Sequence, residues 1–143
     1  MADRLLTPEE KTQGAPEGVV NFKFSELEYY DTIPAEYMAN ATELLKQLQV
    51  IRNYIGKPIS IISGYRSYSR QMKVNPQVTK SKHMTAEAAD IQIKGMTATE
   101  IHKKIEELIK AKKITNGGLG LYVKSNFVHY DVRKDGPARW NGD

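Results

Sequence analysis

Ser81-Lys82-His83-Met84-Thr85-Ala86-Glu87-Ala88-Ala89-Asp90-Ile91-Gln92-Ile93-Lys94 joins a polar loop to an apolar strand. From Ala89 to Lys94 the side chains alternate: Ile91 and Ile93 point one way, Asp90, Gln92 and Lys94 the other, the period of an extended chain with one buried face. His83 ends the loop, with six residues between it and Asp90. Upstream, residues 65–82 are polar, contain Pro76 and show no period, so they read as a long loop. Loops of that length in a compact domain are usually functional or disordered. Before them, Pro58-Ile-Ser-Ile-Ile-Ser-Gly64 is short, β-branched and bounded by breakers, the pattern of a buried strand.

Working outward, Thr97-Ala-Thr-Glu100 is a capping box, and Ile101, Ile105, Leu108 and Ile109 form the stripe of the helix it opens. Gly117-Gly118 closes that unit. Two strands follow, Leu119 to Val123 and Phe127 to Val132, joined by a turn at Lys124-Ser125-Asn126. Toward the N-terminus, Met38, Ala41, Leu45, Leu48, Ile51 and Ile55 mark a longer helix entered at Ile33-Pro34 and stopped by Gly56 and Pro58. Ser25-Glu-Leu-Glu28 opens a short helix. Residues 1–20, with Pro8, Gly14, Pro16 and Gly18, read as an irregular arm. The expectation is one α+β domain over residues 21–143, a small, mainly antiparallel sheet flanked by helices.

The chain of 143 residues is 40% hydrophobic and 27% charged, enough for a core without staples. It has no cysteine, so any metal must use imidazole and carboxylate ligands. No apolar run is long enough to span a bilayer. The first residues lack the apolar segment of a signal peptide. That suits a protein made for the cytoplasm or a phage-infected cell, or an exported one trimmed of its signal. The net charge of +4 favours anionic partners. Nucleic acid is not expected, because the basic residues are scattered and lack interleaved aromatics. Lys110, Lys112 and Lys113 form the one tight group, and they suit a solvated helix end.

Three histidines differ in context. His102 lies beside lysines on a helix and reads as solvated; His83 ends the loop; His129 sits inside an apolar strand. A catalytic zinc takes three ligands from His, Asp or Glu and leaves a fourth position for water. His83, Asp90 and His129 supply that set. His129 and Asp131 share one strand face, as do Asp90 and Gln92, so adjacent strands could bring the polar faces together. On spacing alone, a buried histidine satisfied by an aspartate explains the pattern equally well.

Ser81-Lys-His83-Met-Thr-Ala-Glu-Ala88-Ala-Asp90 resembles the S-x-H-(x)6-D motif of the zinc D-alanyl-D-alanine carboxypeptidases and related phage endolysin peptidases, whose fold the Hedgehog signalling domain shares. Three further stretches fall in the family's order: Ser63-Gly-Tyr-Arg-Ser67, Gly117-Gly-Leu-Gly-Leu-Tyr122, and Phe127-Val-His129-Tyr-Asp131-Val-Arg133 followed by Ala138-Arg-Trp140. The resemblance runs from about Phe22 to Trp140. It implies zinc held by His83, Asp90 and His129, and hydrolysis of a peptide bond in the stem of peptidoglycan. That bond is either D-alanyl-D-alanine or an internal L-alanyl-D-glutamate. It makes Arg66 the cation facing the carbonyl oxygen or a substrate carboxylate, a task suited to a permanently charged fork of donors. Ser81 becomes a substrate contact or a residue that orders the loop. A monomer is expected.

The chain departs from that pattern twice. Ala86 stands where glycine is common, which matters if the backbone there needs positive φ. Asn126 stands where some branches carry a glutamate, and an amide cannot accept a proton from water. Asp131, on the face of His129, is the candidate replacement as general base. Its competing role is to orient a ligand or bind Arg133 or Arg139. Glu87 ranks behind it. A zinc-containing binding module without catalysis is the rival function.

Overall fold

The computed structural model describes residues 6–143 except Thr79. Five strands form one sheet in the order β1-β2-β4-β3-β5, with β1 Ser60–Ser63, β2 Ala88–Gln92, β3 Gly118–Tyr122, β4 Phe127–Asp131 and β5 Ala138–Asn141. All neighbours are antiparallel except β3 and β5, which run parallel. The helices are α1 Pro8–Gln13, α2 Met38–Ile55, α3 Tyr68–Val74 and α4 Ala98–Lys110. This is the α+β arrangement expected.

One face of the sheet is apolar. Ala89, Ile91, Leu119, Val128 and Tyr130 are all fully buried and join one core with Leu44, Leu45 and Leu48 of α2 and Ile101 and Ile105 of α4. Each such Leu or Ile contributes about 1.5–3 kcal/mol through burial. The helices are set by their ends. In the α4 capping box, Thr97 Oγ1 accepts from Glu100 N (3.2 Å) and Glu100 Oε1 from Thr97 N (2.9 Å). Gly56 ends α2 in the left-handed conformation (φ 77°). No helix among the described residues is long and apolar enough to cross a membrane.

The structure differs from the expectations in several places. Pro8–Gln13, in the stretch expected to be irregular, is a helix opened by a Thr7/Glu10 capping box and ended by Gly14; residues 1–5 of that stretch lie outside the described residues. The Pro58–Gly64 segment forms an edge strand rather than a buried one, with no described strand on its outer side, and Ile62 is exposed. The polar loop 65–82 contains α3, whose N-cap Ser67 Oγ accepts from Arg70 N.

Candidate metal centre

The polar face of the sheet is built by register. Asp90 on β2 lies directly opposite His129 on β4, and Ala88 opposite Asp131. His83 arrives from a 3₁₀ turn, Lys82–Thr85, whose N-cap Ser81 Oγ accepts from His83 N at 3.2 Å. The Ser81 hydroxyl therefore orders the turn. The turn ends on Ala86, at φ 58° and ψ 28°, a left-handed conformation costing a non-glycine residue about 1–2 kcal/mol.

One ligand atom from each of His83, Asp90 and His129 lies within 4.8 Å of the others, and all three residues are buried. His83 Nε2 is 3.4 Å from Asp90 Oδ2, and His129 Nδ1 is 3.2 Å from Asp90 Oδ1. The far nitrogens are already engaged. His83 Nδ1 is 2.7 Å from the Gly64 carbonyl, an acceptor only, and so donates to it. His129 Nε2 lies 2.7 Å from Asp131 Oδ2. With those nitrogens protonated, both neutral rings turn a lone pair toward Asp90. Asp90 Oδ1 is buried and, despite its proximity to His129, has no hydrogen bond of acceptable geometry. Two imidazole lone pairs and a carboxylate oxygen without a partner are the donor set of a three-ligand zinc site.

Charge follows from these contacts. Burial pushes the Asp90 carboxyl up, but the close approach of His129 and His83 outweighs it and holds Asp90 well below the usual carboxylate range. Burial lowers His129, while Asp131 and Asp90 raise it further, for a net upward shift.

Asp131 is 0% exposed, and both oxygens are engaged. Oδ1 accepts from Gly118 N (2.8 Å), Arg133 N (3.1 Å) and Arg133 Nε (2.9 Å); Oδ2 accepts from His129 Nε2 and Arg133 Nη2 (both 2.7 Å). Burial raises its carboxyl, yet Arg133 and His129 bring it far below the ordinary value. Gly118 is required by this contact, because a Cβ there would collide with Asp131 Oδ2. Gly120 has the same kind of reason: its Cβ would lie 2.5 Å from the Trp140 indole. Gly117-Gly118, expected to close the helical unit, instead leads into the sheet, and Gly118 begins β3.

Arg66 faces the same centre. Its Nη1 donates to Gln71 Oε1 (3.1 Å) and Nη2 to Ser63 Oγ (3.0 Å), and Nη2 lies 3.6 Å from Asp90 Oδ2. Its Nε is buried without a partner. Gln71, 2% exposed on α3, is not legible as a site residue in the sequence because its polar segment shows no helical period; the Ser67 N-cap is the available signal. Asn126 faces elsewhere: its Oδ1 accepts from Ala98 N at the start of α4, and its φ is 57°. Glu87 accepts from Thr85 Oγ1. His102, half-buried, borders a separate shallow depression with Glu106 and Arg139.

A cleft of about 440 Å³ opens over the centre, bordered by Arg66, Ser81, His83, Asp90, His129 and an aromatic group of Tyr122, Phe127 and Trp140. Among the described residues lining it, Asp90 is the only acid, against Arg66, Lys80, Lys82 and Arg133.

A family model described as Peptidase M15 matches residues 17–131. The peptidoglycan L,D-endopeptidase MepK of Escherichia coli (strain K12) is 34% identical over 115 residues, covering 73% of this chain and 58% of that protein. The MepK of Shigella flexneri gives the same figures. The probable peptidoglycan L,D-endopeptidase MepK of Haemophilus influenzae is 35% identical over 89 residues, covering 59% of this chain and 43% of that protein. The chain thus spans little more than half the length of the first of these relatives, and less of the last.

Proposed function

Since this chain belongs to the peptidase M15 family, we propose that it is a zinc peptidase that cleaves a bond in the stem peptide of peptidoglycan, of the L,D-endopeptidase type named for its relatives. The observation that carries the proposal is the convergence of His83, Asp90 and His129 within 4.8 Å, with the other nitrogen of each ring already bonded. Zinc held there would polarise the scissile carbonyl and acidify water. A D-alanyl-D-alanine carboxypeptidase would use the same centre; the relatives' names favour the endopeptidase.

The chain's own residues take the remaining tasks. His83 and His129 are held in one tautomer by Gly64 and Asp131, so their lone pairs face the metal position without rearrangement. Asp131 enters this proposal as the group that orients His129 rather than as the proton acceptor. Its oxygens receive five hydrogen bonds, and it contacts the ring nitrogen that faces away from Asp90. Arg66 is assigned to the carbonyl oxygen or a substrate carboxylate, its fork braced by Ser63 and Gln71. Ser81, which borders the cleft, is assigned a substrate contact in addition to its cap. The lysines and arginines of the rim suit an anionic stem peptide.

The test is digestion of purified peptidoglycan with mass spectrometry of the products. New stem-peptide ends that disappear on chelation are expected. One observation favours a second reading, a zinc-holding binding module: no carboxylate other than Asp90 lines the described cleft. Retention of wall fragments with no product over prolonged digestion would select it.

A further inference from the structure

Tyr122 and Trp140 are arranged around the centre in a way that the metal ligands do not require. Trp140, on the parallel edge strand β5, lies across Gly120, the residue paired with His129. Its ring centre is 4.8 Å from that of His129. Its indole N–H donates to the Tyr122 hydroxyl at 3.0 Å. The Tyr122 ring is clamped on its own account. Phe127 stacks on it at 4.2 Å and 12°, and Gly142 passes so close that a Cβ would collide with the ring. A hydroxyl has one hydrogen and two lone pairs. Trp140 occupies a lone pair, and no described residue accepts the Tyr122 hydrogen. A held phenol lining the cleft that His129 also borders therefore presents an uncommitted donor.

Arg66 reaches the centre from the other side, through Asp90 Oδ2, the oxygen that faces His83. Its charge is shared with Asp90, whereas the Tyr122 donor is uncommitted. Donors fixed before the reaction, aimed where charge develops, need no reorganisation when it forms.

We propose that Tyr122 is a catalytic residue of this site, donating its phenolic hydrogen bond to the carbonyl oxygen of the scissile amide as that oxygen becomes negative. Trp140 is the positioning residue that sets the direction of the donor. The assignment rests on the peptidase reading. No bond is made or broken at Tyr122; it keeps its proton throughout.

The experiment compares wild type, Tyr122→Phe and Trp140→Phe as full chains. It measures turnover of cross-linked peptidoglycan fragments, zinc content, thermal melting, and calorimetric binding of two probes: a phosphinate isostere of the scissile dipeptide and the product peptide. Tyr122→Phe keeps the ring and its stacking. It should lower kcat about a hundredfold with KM changed less than about threefold. It should retain zinc, and it should weaken the phosphinate far more than the product, because only the phosphinate mimics the charged oxygen. Trp140→Phe should lose less in kcat than Tyr122→Phe. If wild type turns over and Tyr122→Phe matches it, the assignment fails while the peptidase reading stands. Equal losses in the two variants, with both probes weakened alike, would reduce Tyr122 to a support for Trp140 and overturn it as well. Absence of turnover in wild type overturns the peptidase reading and this assignment together.

Discussion

His129 and Asp131 stand two residues apart on the same face of β4, and the imidazole Nε2 meets the carboxylate Oδ2 at 2.7 Å. This contact turns His129 Nδ1 toward Asp90 and divides the strand's two polar residues between two tasks. His129 faces the metal position, and Asp131 faces His129.

Replacing Asp131 with Asn should therefore act on the metal before it acts on the chemistry. Zinc affinity is expected to fall about ten- to a hundredfold. Rate at saturating zinc should change far less than the hundred- to ten-thousand-fold expected, in order of magnitude, for loss of a general base. Metal titration and kinetics on the same variant separate the two. A rate collapse with unchanged affinity would return Asp131 to the role of base.

Purified protein should hold close to one equivalent of zinc, removable by chelation. His83→Ala and His129→Ala should each lose most of it, because two ligands cannot complete a three-ligand site. His102→Ala, away from the cleft, should retain it. Metal analysis decides this, and full occupancy in both ligand variants would end the assignment.

Arg66→Ala should reduce turnover on the order of a hundredfold while leaving zinc bound. Arg66→Lys is not expected to rescue it, since an ammonium cannot bridge Ser63 and Gln71 as the fork does. Unchanged turnover in a folded, metallated Arg66→Ala protein would leave Arg66 with a structural task alone.

Gly118→Ala should destabilise the fold by about 1–3 kcal/mol, the usual scale for overpacking. It should also weaken zinc binding, because the new methyl meets the carboxylate that holds His129. Thermal unfolding and metal titration check both effects. A variant with wild-type melting and affinity would show that β3 can move aside without disturbing Asp131.

Much of this was legible in the chain itself. The Thr97–Glu100 box and the Ile101–Ile105 spacing define α4 because helix ends and faces depend on neighbours three and four residues away. The alternation through Asp90-Ile91-Gln92 and His129-Tyr130-Asp131 puts the acids and the histidine on polar faces, because consecutive strand side chains point to opposite sides. What local periodicity cannot carry is pairing at a distance. The register that sets Asp90 opposite His129 rather than one residue away belongs to the assembled sheet, and a slip of one would turn the ligands to the other face. So do the meeting of Arg66 with Gln71 across a short helix, the turning of Asn126 toward α4, and the need for glycine at positions 118 and 120. Each depends on which atoms another segment brings within about 3 Å, the hydrogen-bonding range, and only the folded chain decides that.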